Sequence, residues 1–463
     1  MAPRPPGPPR TRRPQTTATR RRSAGPASRQ APVDPRHAAA VALARVREQR
    51  RPLETALEDA PGFAALEARD RAFARLLAAT VLRRAGEIDA VIARLVERPL
   101  PEAARAVSDI LALGIVQLLY LDTPPHAAVA TSVALCEARR ASKFKGLVNA
   151  VLRRVAREGR TLVADLDPAR VNTPDWLWQG WCDAYGEDTA RAIAASHLTE
   201  APLDLAPRDA VKAESLAASL EAEVLPWGAL RRRSGGAIPD LPGYADGAWW
   251  VQDAAAQIPV QLLGPVTGKR VLDLCAAPGG KTLQLAAGGA HVTAVDRSAD
   301  RLDIVARNLA RTGLAAELVA TDGAAFAAAP FDAVLLDAPC TATGTMRRHP
   351  DIARTRRPDD IAGAAALQDR LLDNAAHLTR PGGMLVYTVC SLEPVEGEAR
   401  IAAFLARHDD FTADPVTPAD LPGLPEAATA AGCMRTLPSM MADGGGIDGF
   451  FAARLRRSGE AAT

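Results

Sequence analysis

The chain has 463 residues, 48% of them hydrophobic and 24% charged, the composition of a globular protein with room for two to four domains. No apolar run approaches the ~20 residues of a membrane helix, and the N-terminus lacks an apolar signal core, so neither a membrane span nor secretion is expected. The net charge of +2 hides an asymmetry. Residues 1–36 carry nine arginines and one acid, whereas the rest carries 47 basic and 53 acidic residues, so attraction to a polyanion is confined to the tail and to local patches.

Residues 1–36 are rich in Pro, Arg, Ser and Thr and almost devoid of large apolar residues. They cannot bury enough surface to offset chain entropy, so a disordered basic tail is expected. A non-specific RNA-binding arm and a solubilising extension fit this tail equally well.

From His37 the pattern is helical up to about residue 165. Apolar residues recur three or four apart in Phe73-Leu76-Leu77-Thr80-Val81 and in Val107-Ile110-Leu111-Ile115-Leu118-Leu119. Gly86, Pro99, Pro101 and Pro124-Pro125 interrupt it, which predicts a bundle of about six or seven helices. The last helix is expected after Ser142 as N-cap. Arg139, Arg140, Lys143, Lys145, Arg153, Arg154 and Arg157 crowd this stretch. A solvated face would explain them, but their density favours a phosphate-binding surface.

Residues 166–248 are less regular. Trp176, Trp178 and Trp181 precede a helix predicted over about Thr189 to Ser196. A strand over Leu203–Leu205 and a helix over Lys212–Ala222 predict a small α/β subdomain. From Trp249 to about residue 458, apolar strand-like runs alternate with helical patterns, the mark of a parallel sheet with crossover helices. The final run, Phe450 to Leu455, reads as an antiparallel edge strand.

In such sheets, ligands bind beyond the carboxyl ends of the strands. After the strand Arg270–Leu274, the turn Cys275-Ala276-Ala277-Pro278-Gly279-Gly280-Lys281 supplies small residues and a helix start, suited to a nucleotide-like cofactor. Four acids, Asp273, Asp296, Asp322 and Asp337, end four successive predicted strands. Asp296 is placed to accept ribose hydroxyls and Asp322 to meet the base side of an adenosine. No dinucleotide glycine pattern or Walker lysine motif is present, which argues against NAD and ATP. None of the six cysteines (136, 182, 275, 340, 390 and 433) forms a Cys-x-x-Cys pair or has a histidine at zinc-finger spacing. A reducing cytoplasm without disulfides or a metal site is therefore expected. Cys340 and Cys390 fall at the ends of two predicted strands, beside the cofactor's reactive end, which implies covalent chemistry. Cys275 is expected to pack, and His349 to brace its loop.

Together these residues resemble the RNA cytosine-5 methyltransferases of the RsmB (Sun) family. The resemblance is carried by Asp273-Leu-Cys-Ala-Ala-Pro-Gly-Gly-Lys-Thr282, by Asp337-Ala-Pro-Cys-Thr-Ala-Thr-Gly344 followed by Arg348-His-Pro-Asp351, and by Val389-Cys-Ser391 followed by Glu393, Glu396 and Glu398. Trp250 to Gln257 and Asp448 to Phe451 match flanking segments, and Gly146 to Arg153 resembles the NusB-like RNA-binding domain fused to this family. Leu205 to Arg208, Ala255 and Val389 depart from the family pattern without removing a residue of the covalent step.

The resemblance implies an α/β fold: a Rossmann-like S-adenosylmethionine-dependent methyltransferase domain over 249–458, preceded by an all-α NusB-like bundle over 37–165 and a small α/β linker subdomain over 166–248. It places S-adenosylmethionine on Cys275, Ala276, Ala277, Pro278, Gly279, Gly280, Lys281, Asp296, Asp322 and Asp337. It makes Cys390 the nucleophile, Cys340 the assistant in product release and Asp337 the partner of the pyrimidine edge. The expected partner is 16S ribosomal RNA, naked or partly assembled, met by a monomer. Transfer RNA or large-subunit RNA as substrate remains open. So do a non-enzymatic RNA-binding assembly factor and, more weakly, a protein methyltransferase, which would not need a thiol pair.

Overall fold

The computed structural model describes residues 34–459 apart from 99, 102–103 and 234–235, together with 1–3 and 7. Nearly all of the expected basic tail, residues 1–36, lies outside the described residues. Its last two residues belong to the first helix, which starts at Pro35 and is capped by Asp34 accepting from Arg36 N–H at 2.9 Å.

Among the described residues, seven α-helices build the N-terminal domain: α1 (Pro35–Gln49), α2 (Leu53–Glu58), α3 (Ala68–Arg83), α4 (Ala85–Leu95), α5 (Arg105–Leu119), α6 (Pro125–Ala138) and α7 (Lys145–Glu158). They close around one apolar core in which α5 is buried nearly all round, through Val107, Ile110, Leu111, Ile115, Val116 and Leu119. Ser142 does not cap α7. It opens a short 3-10 turn, and α7 starts at Lys145 without a side-chain cap. Of the seven basic residues near α7, Lys145 pairs with Glu137, Arg154 and Arg157 with Glu158, and Arg139 approaches Asp109.

Three further helices, α8 (Pro168–Val171), α9 (Asp175–Tyr185) and α10 (Glu187–Ser196), lead to the linker sheet. The helix expected over about Thr189 to Ser196 is α10, and the three tryptophans before it sit on a further helix, α9, where Leu177 and Trp181 face inward and pack with Met346, Ile352 and Leu392. The small sheet comprises β1 (Leu203–Pro207), β2 (Glu223–Val224), β3 (Leu230–Arg232) and β4 (Trp249–Val251), in the order β2-β3-β1-β4, with α11 (Ala213–Leu220) against it. Its fourth strand lies beyond the expected boundary at residue 248.

The last domain runs α12 (Ala254–Gln261), β5 (Arg270–Leu274), α13 (Gly280–Ala287), β6 (His291–Asp296), α14 (Ala299–Thr312), β7 (Glu317–Ala320), β8 (Phe331–Asp337), α15 (Ile352–Thr355), α16 (Pro358–Leu378), β9 (Thr379–Val389), α17 (Glu398–Arg407), β10 (Phe411–Ala413), β11 (Met434–Thr436) and β12 (Phe450–Arg457). The large sheet has the order β10-β12-β9-β8-β5-β6-β7, with β11 also on β12. Strands β5 to β9 are parallel. Strand β12 is antiparallel as expected, but it is no edge: β9 pairs with one side and β10 and β11 with the other. The chain order reverses between β5 and β8, so the switch point, where such sheets bind ligands, falls beside β5.

The helical domain is docked on the rest. Arg50 donates to Thr355 O at 2.6 Å and pairs with Asp360, and Arg83 donates to Arg347 O at 2.9 Å. In α4, Gly86 lies so near α8 that a Cβ would sit 1.8 Å from Val171 O. Gly86→Ala therefore has to prise α4 from α8, and should cost about 2 kcal/mol or more. Chemical denaturation checks this; unchanged stability would contradict the packing.

Candidate active site

Strands β8 and β9 run parallel with Asp337 opposite Thr388, so both chains leave the sheet at the same edge. Ala338 N–H donates to Thr388 O at 2.9 Å and holds the two exits together. Cys340 lies three residues past Asp337, and Cys390 one residue past the end of β9. Their sulfurs are 3.5 Å apart, both half-buried, and both are free thiols. The hydrogen bond between them comes first, then burial, then the nearby Glu396 among the causes that push the Cys340 thiol well above its usual range.

The buried carboxylate of Glu396 fixes the spacing. It accepts from Thr341 N–H at 2.9 Å, from the Thr341 hydroxyl, from Ser391 Oγ at 2.5 Å and from Gln368 Nε2 at 3.1 Å. Thr341 follows Cys340 and Ser391 follows Cys390, so one side chain grips both thiol-bearing loops. Sequence reasoning placed Glu396 in a motif but gave it no role; its burial among donors from three segments is a tertiary fact.

A cleft of about 610 Å³ opens at the carboxyl ends of β5, β6 and β8. Cys275, Ala277, Pro278, Asp296, Asp322, Asp337, Cys340 and Cys390 line it, with Val295, Leu367 and Leu371 as apolar wall. The buried Asp296 ends β6 and accepts from Ala277 N–H at 3.1 Å and Ser298 N–H at 3.0 Å. Asp322 is exposed and 3.6 Å from Arg370. Acids for hydroxyls and amines, with apolar walls for a flat base, fit the donor and surface pattern of an adenosine-containing group. Burial, followed by the three nearby aspartates, raises the Cys275 thiol, in keeping with packing rather than reaction.

Not every residue of the glycine-rich turn meets this cleft. Gly279 has φ 104°, and a Cβ there would lie 2.9 Å from Val305, so its role is to let the turn close on α14. Ala276, Gly280 and Lys281 line a second cavity of about 530 Å³, which shares Pro278 and Asp337 with the first. Lys281 is 7% exposed, and its ammonium is 2.7 Å from Asp337 Oδ2. Burial works against this charge, yet Asp337 outweighs it and the lysine is held charged, with Cys390 adding to the effect. A cation thus stands beside the thiol pair. His349 is exposed and also lines the second cavity.

Asp273, expected with the other strand-end acids, is fully buried and does not line the cleft. It accepts from Thr282 Oγ1 at 2.5 Å, and its other oxygen has no partner among the described residues. Burial, with a further contribution from Asp337, pushes it up to about 7.

This is the cleft of an α/β fold suited to a nucleoside-containing cofactor, with two neighbouring thiols in its wall. The model of the 16S rRNA methyltransferase RsmB/F family matches residues 260–456, and that of the NusB family matches residues 33–157. The ribosomal RNA small subunit methyltransferase B of Pseudomonas putida is 38% identical over 91% of this chain and 98% of its own. Its counterpart from Xanthomonas campestris is 40% identical over 83% and 90%. Among solved structures, PH0851 superposes with a TM-score of 0.70 at 24% identity, over 92% of this chain and 99% of its own. A methyltransferase homolog protein from Pyrococcus horikoshii gives 0.51 at 27% identity, over 61% and 99%. The chain belongs to the RsmB/F family of S-adenosylmethionine-dependent rRNA methyltransferases, with an N-terminal NusB domain.

Two outcomes follow from this geometry. The Glu396→Gln variant replaces an acceptor by a group that must itself donate, and should lose about 1–3 kcal/mol of unfolding free energy in urea titrations. No loss would mean that the loops are held elsewhere. Asp273 binds its proton more tightly folded than unfolded, where its pKa is about 3.9. Its stabilising contribution is therefore full below about pH 4 and is lost as pH rises through about 7. The melting temperature of Asp273→Asn, relative to the unaltered chain, should climb between pH 5 and pH 9; a constant difference would refute the buried neutral acid.

Proposed function

We propose that this protein methylates carbon 5 of a cytosine in 16S ribosomal RNA through a transient bond between Cys390 and the pyrimidine. The observation that carries the reading is the thiol pair, 3.5 Å apart in the wall of the cofactor cleft and beside a charged lysine. S-adenosylmethionine, when bound, supplies an electrophilic methyl group. Cys275, Ala277, Pro278, Asp296, Asp322 and Asp337 are the residues that would hold it.

Carbon 5 of cytosine is a weak nucleophile. Addition of the Cys390 thiolate to carbon 6 pushes electron density onto carbon 5, which can then accept a methyl group. The Lys281 ammonium favours the thiolate electrostatically and, by its ion pair, fixes Asp337. The proton that the Cys390 thiol gives up on becoming a thiolate is held between Asp337 and ring nitrogen 3 and so offsets the charge that addition creates. Afterwards the carbon 5 proton leaves and the electrons of that bond expel the Cys390 sulfur. Cys340 assists this release. In one concerted exchange the carbon 5 proton passes to the Cys340 sulfur while the Cys340 thiol proton passes to the departing Cys390 sulfur, 3.5 Å away.

The base has to be out of its stack to reach the thiol, so single-stranded or locally open RNA is the substrate. The NusB domain docks that RNA, and Arg140, Lys143 and Arg153 at α7 are exposed there without an acidic partner among the described residues.

Cys390→Ala should reduce methyl transfer by at least about 10³-fold. Cys340→Ala should retain the first half of the reaction and accumulate a denaturant-resistant protein–RNA adduct, seen as a slow band on denaturing gels. Normal turnover without adduct would remove Cys340 from the release step. Bisulfite mapping of RNA with and without the protein should reveal one 5-methylcytosine in 16S RNA; a site in transfer RNA or large-subunit RNA would move the substrate, and no site at all would leave only an RNA-binding factor.

A further inference from the structure

The second cavity is about 530 Å³ and meets the catalytic cleft at Asp337 and Pro278, from the side of Lys281 and Phe450. It lies between the linker subdomain and the catalytic domain. Two of its cations, Lys281 and Arg348, are paired with acids. Lys281 is paired with Asp337, and Arg348 lies 2.6 Å from Asp253 and 3.1 Å from Asp448. Arg311 gives its guanidinium to Tyr244 O at 2.9 Å and Trp249 O at 3.0 Å. Lys281 and Arg348 therefore offer a phosphate no free cation, whereas Arg311 has no acidic partner among the described residues and its Nε has no hydrogen-bond partner there.

The remaining wall is of a different kind. Ile238, Trp250, Val251 and Leu283 are apolar, and Val251 is 44% exposed. The Asn308 amide on α14 and the Tyr244 hydroxyl also line the cavity, and neither has a hydrogen-bond partner among the described residues. Tyr244 is held in place: Arg311 lies 4.2 Å over its ring, and Trp249 packs at 5.5 Å between ring centroids. Apolar surface with two neutral, unpaired hydrogen-bonding groups, one of them rigidly mounted, suits a flat heterocycle read on its edge.

Resting on the reaction proposed above, we infer that this cavity is a subsite for the nucleobase next to the target cytosine, read by Asn308 and Tyr244. Its shared wall at Asp337 puts the occupant beside the reacting base, and its size admits one nucleotide. The subsite makes methylation depend on the neighbouring base as well as on the cytosine. An amide can donate and accept on a base edge, which sets the scale of discrimination at about tenfold.

The test uses the full-length protein and in vitro transcribed 16S RNA in which the base on either side of the methylated cytosine is varied. Turnover by the unaltered protein should differ by about tenfold between the best and worst base on one side. Asn308→Ala and Tyr244→Phe should shrink that spread to about threefold or less, with the KM for S-adenosylmethionine and the melting temperature unchanged. Variants that keep the full spread, or a parent enzyme indifferent to both neighbours, would overturn the subsite. A parent enzyme that methylates no cytosine in any of these RNAs would overturn the reaction and the subsite together, so the two failures are told apart.

Discussion

Two thiol-bearing loops leave the sheet side by side, and the Glu396 carboxylate holds them in register. A carboxylate with no exposed surface is costly unless donors surround it. Here Thr341, Ser391 and Gln368 supply them, and each comes from a different segment. Tyr387 adds a bond from its hydroxyl to Glu396 O at 2.6 Å, anchoring the backbone of the same residue to β9. The thiol pair inherits its geometry from this network and from the parallel exit of β8 and β9.

A second buried network joins the linker subdomain to the catalytic domain. Arg231, Arg347 and Arg348 face Asp204, Asp253 and Asp448, three charges of each sign. Asp204 belongs to β1, Asp253 precedes α12, and Asp448 precedes β12, so charge balance requires all three segments to assemble together. Removing one member would leave an uncompensated buried ion, which is far more costly than the net gain of the intact set. This cluster forms part of the wall of the second cavity, so the architecture that shapes that cavity is also the architecture that fixes the linker subdomain.

Asp337 stands where the two cavities meet. On one side lies the cofactor cleft, on the other the second cavity, and Lys281 holds the carboxylate from below with its ring neighbour Phe450 at 5.3 Å. The same residue therefore lines both cavities and carries the ion pair with Lys281. Its place at the last position of β8, beside the switch point, gives it access to all three.

Much of this was legible in the chain itself. The bounds of α14 follow from local signals: Ser298 caps its start, Leu302, Val305 and Leu309 repeat on one face, and Gly313 ends it in the left-handed conformation. Strand β5 and the turn after it were readable for the same reason, since apolar runs and small residues act on their own neighbours. Other features were not. Strands β2, β3 and β4 are too short to show alternation. The tryptophans of α9 hide a helix because its inward face is defined by a partner domain. Strand β12 looks like an edge until β10 and β11 pair with its free side. Lys281 and Asp273 sit among cofactor residues in the sequence, yet folding pairs one with Asp337 and buries the other. Residue types, spacing and local periodicity thus determined the family of elements and the thiols. Which charges neutralise each other, which strand ends become neighbours and which acids see the cleft were decided only by long-range packing, because those contacts join positions that no local pattern connects.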